Sequence, residues 1–251
     1  MEILNGEVAI VTGGNRGIGR AIVERLVKCG AAVSIVDKSQ AESEAFSKEL
    51  NAKGYRTIAV HGDVTKSEDV KRAVQITGNT LGPISILVNN AGWDQIERFI
   101  ESDEEDWIKV IDVNLLGQMR FCREVIPGMI ERNYGRIINI SSDAGRVGTS
   151  GQVGYSAAKG GVIAFTKGLA REVVRHGITV NSVAPGPTNT PLFKEVQESS
   201  PKLYDALIKA IPMRRAGETD EVAYFVAMLA AKEAAYMTGQ TLSVNGGLNM
   251  I

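Results

Sequence analysis

Thr12-Gly13-Gly14-Asn15-Arg16-Gly17-Ile18-Gly19 is the stretch of sequence that decides the fold. An apolar run ending at Val11 precedes it, and a helical pattern that begins near Ile22 follows it. In the order strand, glycine loop, helix, the glycines let the backbone approach a pyrophosphate, and the N–H groups at the helix start favour the anion. A glycine loop alone is a weak signal, but this context predicts a dinucleotide site with contacts from Gly13, Asn15, Arg16, Gly17, Ile18 and Gly19.

The next predicted strand, 31–36, is followed directly by Asp37. A carboxylate about 20 positions beyond the glycine loop is placed to accept hydrogen bonds from an adenosine ribose and to repel a 2′-phosphate, so it favours NAD over NADP. Arg16 points the other way, because a guanidinium in the loop could meet that phosphate, unless it is only a solvated loop charge. We rank Asp37 above Arg16, since an unpaired carboxylate facing the phosphate would be repelled directly.

Length, composition and charge limit the classes of protein to consider. The 251 residues, of which 44% are hydrophobic, are enough for one large α/β domain. A net charge of −1 with interspersed signs offers no surface for nucleic acid or an anionic membrane, so small-molecule partners are expected. Cys29 and Cys122 have neither disulfide-framework nor metal-ligand spacing, and we expect no metal. Without a membrane-length apolar run or a signal-peptide pattern, a cytoplasmic location is expected.

Strands and helices alternate along the rest of the chain. Further strands are predicted over 56–60, 84–88, 136–140, 178–183 and 241–244. Helices are predicted over 41–53, 71–81, 104–132 and 155–175. Seven strands separated mostly by helices predict a single Rossmann-type domain, with one doubly wound parallel sheet and helices on both faces. The stretch 191–215 interrupts the alternation, contains a short helical pattern over 203–211, and is expected to be a lid over the ligand crevice.

Several polar or small residues follow the predicted strands, where open α/β sheets bind ligands. Asp63 and Val64 follow the third strand, and Asp63 could either accept from an adenine amino group or cap the next helix. Asn90, Ala91 and Gly92 follow the fourth strand and are candidate cofactor contacts. Asn114 lies among apolar residues in the long helical region, where a buried amide needs partners and could be purely structural.

The predicted helix 155–175 begins with Tyr155-Ser156-Ala157-Ala158-Lys159. The spacing places Tyr155 and Lys159 one above the other. An ammonium roughly 4 Å from a phenol is worth on the order of 4 kcal/mol at an effective dielectric of about 20, so we expect Lys159 to lower the pKa of Tyr155 by about three units. Ser142 follows a strand thirteen residues earlier, close enough in sequence to converge with the pair. The alternative is an amphipathic helix with a core tyrosine and a solvated lysine.

Over nearly its whole length the chain resembles the short-chain dehydrogenase/reductase family, in its branch of about 250 residues. The matching motifs are the glycine loop, Asn89-Asn90-Ala91-Gly92, Asn114, Ser142, Tyr155 with Lys159, and Pro185-Gly186. The resemblance implies an NAD-dependent oxidoreductase in which Asn114, Ser142, Tyr155 and Lys159 form a catalytic tetrad. It also implies nicotinamide-side contacts from Pro185, Gly186, Thr188 and Thr190.

The resemblance assigns each tetrad residue a role. Tyr155 would be the general base on a secondary alcohol, or the acid in the reverse direction, and Ser142 would hydrogen-bond the reacting oxygen. Lys159 would lower the pKa of Tyr155 and hold the nicotinamide ribose, while Asn114 would position a water that links Lys159 to solvent. Family members pair subunits through the helices that correspond to 104–132 and 155–175, so a homotetramer, or at least a dimer, is expected.

The substrate is predicted from a looser similarity. The stretches 90–94 and 142–148 are most similar to family members that oxidise cyclic or aryl 3-hydroxyacyl-CoA thioesters in anaerobic aromatic degradation, with Trp93, Asp143 and Arg146 as candidate substrate contacts. Trp93 could instead be buried against the sheet. The stretch 191–215 has five basic and three acidic residues, which fits CoA phosphates or an ordinary solvated helix face. A 3-oxoacyl-thioester reductase and a sugar or polyol dehydrogenase share these motifs and stay open, while the intact tetrad disfavours a non-catalytic family subunit.

Overall fold

One seven-stranded parallel sheet forms the centre of the molecule in a computed structural model that describes residues 3–251. Its strand order is β3-β2-β1-β4-β5-β6-β7. The strands are β1 (Val8–Thr12), β2 (Ala32–Asp37), β3 (Thr57–His61), β4 (Ile86–Asn89), β5 (Gly135–Ile140), β6 (Ile178–Pro185) and β7 (Thr241–Val244). The order reverses between β1 and β4, and the carboxyl ends of these two strands are where such a sheet opens a ligand crevice.

Helices cover both faces of the sheet. They are α1 (Gly17–Lys28), α2 (Gln40–Ala52), α3 (Ser67–Leu81), α4 (Glu104–Ile111), α5 (Gly117–Glu131), α6 (Ala144–Val147), α7 (Val153–Val173), α8 (Pro191–Ser199), α9 (Pro201–Ala210) and α10 (Thr219–Ala230). A π-helical segment, Asp112–Leu116, joins α4 to α5. The predicted fold class is therefore confirmed, and the predicted helical region 104–132 is one continuous run whose centre is widened.

The buried side chains form two apolar clusters, one on each face of the sheet. Along β1, Ala9 and Val11 belong to one cluster, while Val8 and Ile10 belong to the other. Successive residues of a strand point to opposite faces, so an apolar run without alternation indicates a strand buried on both sides. The core thus holds the carboxyl end of β1, and with it the glycine loop, between two packed layers.

Two segments differ from the sequence prediction. The excursion 191–215 contains two helices where one short helical pattern was predicted, because Thr190 Oγ1 accepts from the Phe193 N–H at 3.2 Å and Pro191 starts α8. Helix α10 was not predicted, although Glu218 and Glu221 form a capping box at its start. Within residues 3–251, none of the helices combines the length and apolar character that crossing a membrane requires.

Candidate active site

The glycine loop forms a tight turn between β1 and α1. A Cβ on Gly19 would lie 2.0 Å from the Gly13 carbonyl oxygen and 2.5 Å from Asn90 Nδ2, so only glycine fits there. Gly13 and Gly17 have φ of +62° and +55°, a region that favours glycine. Because these positions carry no side chain, a ligand can approach the loop backbone at the start of α1. This arrangement fits the pyrophosphate of a dinucleotide.

The end of β4 holds the glycine loop in place. Asn90 Nδ2 donates to the carbonyl oxygens of Thr12 at 3.0 Å and Gly13 at 2.9 Å. Thr12 Oγ1 in turn accepts from the Asn90 and Ala91 N–H groups, both at 3.0 Å. The Asn90 side chain thus supports the loop, and its direct contact with a cofactor stays a prediction.

The other loop residues have distinct surroundings. Asn15 is buried and donates to Glu42 Oε2 at 2.9 Å, whereas Arg16 is exposed immediately before α1. Ile18 is partly buried and packs against the core. A Cβ on Gly17 would lie 3.5 Å from Thr190 Cγ2, so the segment after β6 reaches the glycine loop.

That segment follows the Pro185-Gly186 turn at the end of β6. Thr188 Oγ1 donates to the Gly186 carbonyl at 2.9 Å, and a Cβ on Gly186 would lie 2.8 Å from Asn245 Cβ. The turn is therefore packed tightly against the chain that leaves β7. Pro185 is the last residue of β6, and Gly186, Thr188 and Thr190 follow it, on the same edge of the sheet as the glycine loop. Their contacts with a nicotinamide stay predictions.

Two carboxylates lie at the ends of β2 and β3. Asp37 is partly exposed, and its Oδ1 accepts from the Ser39 N–H at 3.0 Å. Asp63 Oδ1 accepts from the Thr65 N–H at 2.9 Å and hydroxyl at 2.7 Å, and Oδ2 pairs with Lys38 Nζ at 3.0 Å. Burial would raise the pKa of Asp63, but the Thr65 hydrogen bonds and Lys38 outweigh it and hold that pKa below its usual value.

Asp63 does not cap the following helix, which answers one of the alternatives left open by the sequence. Its side chain closes the turn ahead of α3, and Lys66 is the residue that flanks that helix. Val64 is buried, and a Cβ on Gly117 would lie 2.8 Å from its Cγ2. Contacts of Asp63 and Val64 with an adenine stay predictions.

Ser142, Tyr155 and Lys159 meet where β5 ends. Lys159 is 2% exposed, and its Nζ donates to the Ile140 carbonyl at 2.8 Å and lies 5.5 Å from the centroid of the Tyr155 ring. The Ser142 hydroxyl lies beside the Tyr155 phenol and acts to lower the pKa of that phenol. A Cβ on Gly145 would lie 2.5 Å from the Lys159 backbone, so α6 packs directly on α7 beside these three residues.

The predicted lowering of the Tyr155 pKa by Lys159 is wrong for the protein on its own. Burial, and then the nearby Asp94 carboxylate, raise the pKa of Tyr155 to about 12, while the Ser142 hydrogen bond acts in the other direction. Burial also lowers the pKa of Lys159 to about 8, although Asp94 opposes this. Both groups are desolvated, and the sequence spacing that suggested their attraction carries no information about burial.

Asn114 is fully buried in the π-helical segment. Its Nδ2 donates to the carbonyls of Trp93 at 2.6 Å and Val110 at 2.9 Å. Among residues 3–251, its Oδ1 has no hydrogen-bond partner, and a Cβ on Gly92 would lie 2.9 Å from that oxygen and 3.8 Å from Lys159 Nζ. The Nδ2 group of Asn114 is therefore hydrogen-bonded within the fold, whereas Oδ1 is an unpaired acceptor that lies near Lys159 Nζ.

The candidate substrate residues are only partly at this site. Trp93 is partly buried, with Lys109 Nζ 3.6 Å from the centroid of its indole ring. Asp143 is buried and accepts from Ser243 at 3.2 Å and from the side chains of two residues after β7, Asn245 and Asn249. Arg146 donates to the Ile251 oxygen at 2.7 Å and to the Thr241 carbonyl.

Both side chains thus bind the C-terminal segment, as the buried charge of Asp143 requires. Contact of Asp143 and Arg146 with a substrate stays a prediction. Asp94, for which the sequence predicts no role, lines one cavity together with Gln152 and Tyr155. Its only sequence signal was its place directly after the stretch Asn90–Trp93. Residues 3–251 contain no cluster of three or more metal-ligating side chains.

Comparison with known proteins gives consistent matches over the whole chain. Residues 13–249 match the family described as enoyl-(acyl carrier protein) reductase. The chain is 42% identical to 2,3-dihydroxy-2,3-dihydro-p-cumate dehydrogenase from Pseudomonas putida, covering 99% of this chain and 96% of that protein. It is 41% identical to the 3-oxoacyl-[acyl-carrier-protein] reductase FabG from Vibrio harveyi, covering 99% of both. The crystal structure of gox2181 superposes with a TM-score of 0.95 at 38% identity, covering 99% of this chain and 98% of that one.

Proposed function

Because the chain belongs to the short-chain dehydrogenase/reductase family, an oxidoreductase family, we propose that it is an NAD-dependent dehydrogenase that oxidises a secondary alcohol to a ketone. The observation that carries the proposal is the convergence of Ser142, Tyr155 and Lys159 beside the crevice where the glycine loop opens. A nicotinamide cofactor supplies the acceptor for the hydride when it is bound.

The chain's own residues orient the alcohol and move its proton. Ser142 donates to or accepts from the reacting oxygen, and Tyr155 accepts the alcohol proton. Lys159 holds the cofactor ribose and supplies positive charge next to the phenol, whose pKa must fall from about 12 before it can act as a base near neutral pH. Asn114 Oδ1 accepts from a water that connects Lys159 to solvent.

NAD is the proposed cofactor, with Asp37 as the residue that selects it. The Asp37 carboxylate lies at the end of β2 with one oxygen bonded to the Ser39 N–H. Lys38, the neighbouring cation, is paired with Asp63, so Arg16 is the exposed basic group left to meet a 2′-phosphate. NAD⁺ should exceed NADP⁺ in kcat/KM by at least about tenfold, because a like-charge contact costs one to several kcal/mol.

A cyclic or aryl 3-hydroxyacyl-CoA thioester is the first substrate candidate. What supports it is the similarity of 90–94 and 142–148 to such enzymes and the basic residues of the excursion 191–215, which we propose to be a lid. Fewer basic side chains of the excursion are available to CoA phosphates than the sequence suggested. Arg215 is bound to both carboxylate oxygens of Glu221 at 2.7 Å, so it is not available to CoA phosphates.

A ring dihydrodiol is the second candidate. It is favoured by the 42% identity to a dehydrogenase named for a 2,3-dihydroxy-2,3-dihydro substrate, and by the Asp94 carboxylate in the cavity that Tyr155 lines. The reverse reaction, reduction of a 3-oxoacyl thioester, is favoured by the raised pKa of Tyr155, which suits a proton donor. A sugar or polyol also carries neighbouring hydroxyl groups and would meet the same Asp94 carboxylate.

We also propose that the protein acts as a homotetramer, or at least as a dimer. Along the run from α4 to α5, Ile108 is 60% exposed, and Ile111, Leu116 and Met119 are exposed as well. A line of exposed apolar side chains on a long helical run is typical of a subunit interface. Light scattering at micromolar concentration that shows only a 26.9 kDa particle would contradict this. The cytoplasmic location stays a prediction.

The experiment is a screen for NAD⁺ reduction, followed at 340 nm, over hydroxyacyl-CoA esters, their free acids and cyclic diols. Wild-type protein should reduce NAD⁺ with at least one class of secondary alcohol, and Tyr155→Phe should not. Reduction by both proteins at equal rates would place the base elsewhere. If no class of alcohol reduces NAD⁺ while NADH rapidly reduces 3-oxoacyl thioesters, the proposed direction of the reaction would be reversed.

A further inference from the structure

Asp94 lies on the loop that leaves β4, immediately after Gly92 and Trp93, which lie beside the proposed catalytic groups. A Cβ on Gly92 would lie 3.8 Å from Lys159 Nζ. The carbonyl of Trp93 accepts from Asn114 Nδ2 at 2.6 Å. The hydrogen bond from Asn114 therefore holds the backbone just before Asp94. The position of the Asp94 carboxylate thus depends on the position of Asn114.

The loop is also held on the other side of Asp94. The Glu97 N–H donates to the Gly151 carbonyl at 2.9 Å, and a Cβ on Gly151 would lie 3.4 Å from Ile96 Cγ2. Gly151 immediately precedes Gln152, whose side-chain amide donates to Asp94 Oδ2. The carboxylate is therefore held in place on the cavity wall and is not a mobile surface charge.

The Asp94 carboxylate still has acceptor capacity. A carboxylate offers about four acceptor positions. In the part of the chain that the structure describes, Asp94 receives one side-chain hydrogen bond, from the Gln152 amide. The cavity that it lines with Tyr155 and Gln152 has a volume of about 20 Å³, which is room for one water-sized group. A single hydroxyl group has that size, and it can donate to the remaining acceptor positions.

The charge of Asp94 works against the proposed base when nothing binds to it. Burial raises the pKa of Asp94, the Gln152 and Gln95 hydrogen bonds and Lys159 act in the other direction, and Asp94 in turn raises the pKa of Tyr155. A donor on the carboxylate would withdraw part of this negative charge from the phenol. A substrate that brings such a donor would therefore both bind better and ease the loss of the Tyr155 proton.

We propose that Asp94 is a specificity-determining residue, whose carboxylate accepts a hydrogen bond from a second hydroxyl group on the carbon next to the one that is oxidised. The substrate class is then a vicinal diol on a ring. We place the second hydroxyl on the neighbouring carbon because Asp94 and Tyr155 line the same small cavity, so a hydroxyl that reaches Asp94 lies close to the carbon that Tyr155 serves. This inference rests on the proposed alcohol oxidation and favours the diol over the thioester, whose carbonyl is an acceptor and cannot donate to a carboxylate.

The test compares two substrates with and without the second hydroxyl, cis-cyclohexane-1,2-diol and cyclohexanol, at saturating NAD⁺ and pH 8. In the wild type the diol should have the higher kcat/KM. Asp94→Ala should lower kcat/KM for the diol by about 10- to 150-fold, the range for a hydrogen bond to a charged group. For cyclohexanol, Asp94→Ala should leave kcat/KM unchanged or raise it, because the pKa of Tyr155 falls when the carboxylate is removed.

Two further variants keep the result interpretable. Asp94→Asn preserves the shape of the side chain and should show a smaller loss on the diol, so the proposal can be tested even if Asp94→Ala folds poorly. Glu101→Gln removes the charge of an exposed carboxylate further along the chain, outside this cavity, and should change kcat/KM for neither substrate. Binding of the diol to the enzyme–NADH complex, followed by NADH fluorescence, should weaken in Asp94→Ala in parallel with kcat/KM.

The outcomes separate the inference from the function on which it rests. Equal losses on both substrates, or no loss on the diol in Asp94→Ala and Asp94→Asn, would overturn the role of Asp94 and leave alcohol oxidation standing. Failure of wild-type protein to oxidise any secondary alcohol, while it still binds NADH, would overturn the proposed function itself and the role of Asp94 with it.

Discussion

Lys159 should make the stability of this protein depend on pH in a direction set by its burial. The side chain is 2% exposed, and burial lowers its pKa from the ordinary 10.5 to about 8. A shift of that size corresponds to about 3 kcal/mol against the charged form. Between about pH 8 and pH 10.5 the unfolded chain binds more protons than the folded one, so the free energy of unfolding rises with pH. The destabilisation is complete at pH 7 and fades towards pH 10.5.

Replacing Lys159 with methionine removes this dependence. Urea unfolding at pH 7 and pH 10 should show the wild type gaining about 2 to 3 kcal/mol relative to Lys159→Met as the pH rises. The loss of the Nζ hydrogen bond to the Ile140 carbonyl is a constant cost at both pH values and cancels in this difference. Tyr155, with a raised pKa of about 12, acts in the opposite sense above pH 10 and is present in both proteins.

The control is Lys167→Met, an exposed lysine on the same helix, which should leave the difference between the two pH values within about 0.5 kcal/mol of zero. Equal protein concentrations are needed, because an oligomer's stability depends on concentration. If wild type and Lys159→Met change in parallel between pH 7 and pH 10, Lys159 is not a desolvated ammonium, and the electrostatic description of the site fails.

Other predictions concern the cofactor site and the reacting oxygen. Gly19→Ala should abolish NADH binding measured by fluorescence, because its Cβ would lie 2.0 Å from the Gly13 carbonyl and the loop must move; unchanged binding would show that the loop is not the cofactor site. Asp37→Ser should raise kcat/KM with NADP⁺ at least about tenfold, with Arg16 receiving the phosphate, and no gain would remove Asp37 as the selecting residue. Ser142→Ala should lower kcat by about 10² or more while KM changes little, whereas a pure KM effect would mean that Ser142 only binds substrate.

Regular elements and the cofactor edge of the sheet could be predicted because their signals are local. The apolar runs of β1 and β4 and the glycines between β1 and α1 are visible in the sequence, and the structure places them as expected. The sequence could not predict that the Asn90 side chain bonds the Gly13 carbonyl, because the two residues are 77 positions apart. The missed helix α10 did carry a local signal, the acidic capping residues Glu218 and Glu221.

The electrostatics of the site could not be predicted from spacing. The interval between Tyr155 and Lys159 correctly placed both on one helix, but the burial that dominates both pKa values comes from packing of α6 and the β4 loop. The same limitation affected Asp143 and Arg146, whose partners on and after β7 are about 100 residues away. Asp94 was missed for this reason too, since only the folded chain brings it beside Tyr155.

The central claim, that Tyr155 is the acid/base of an alcohol dehydrogenase, is tested most directly by single-turnover NAD⁺ reduction with Tyr155→Phe, on the best alcohol found for the wild type. The variant keeps the ring and loses only the phenolic hydroxyl beside Ser142. Tyr155→Phe should fold, bind NADH with nearly wild-type affinity and reduce no detectable NAD⁺ at any pH from 7 to 10. A variant that binds NADH and oxidises the alcohol at a near wild-type rate would contradict it.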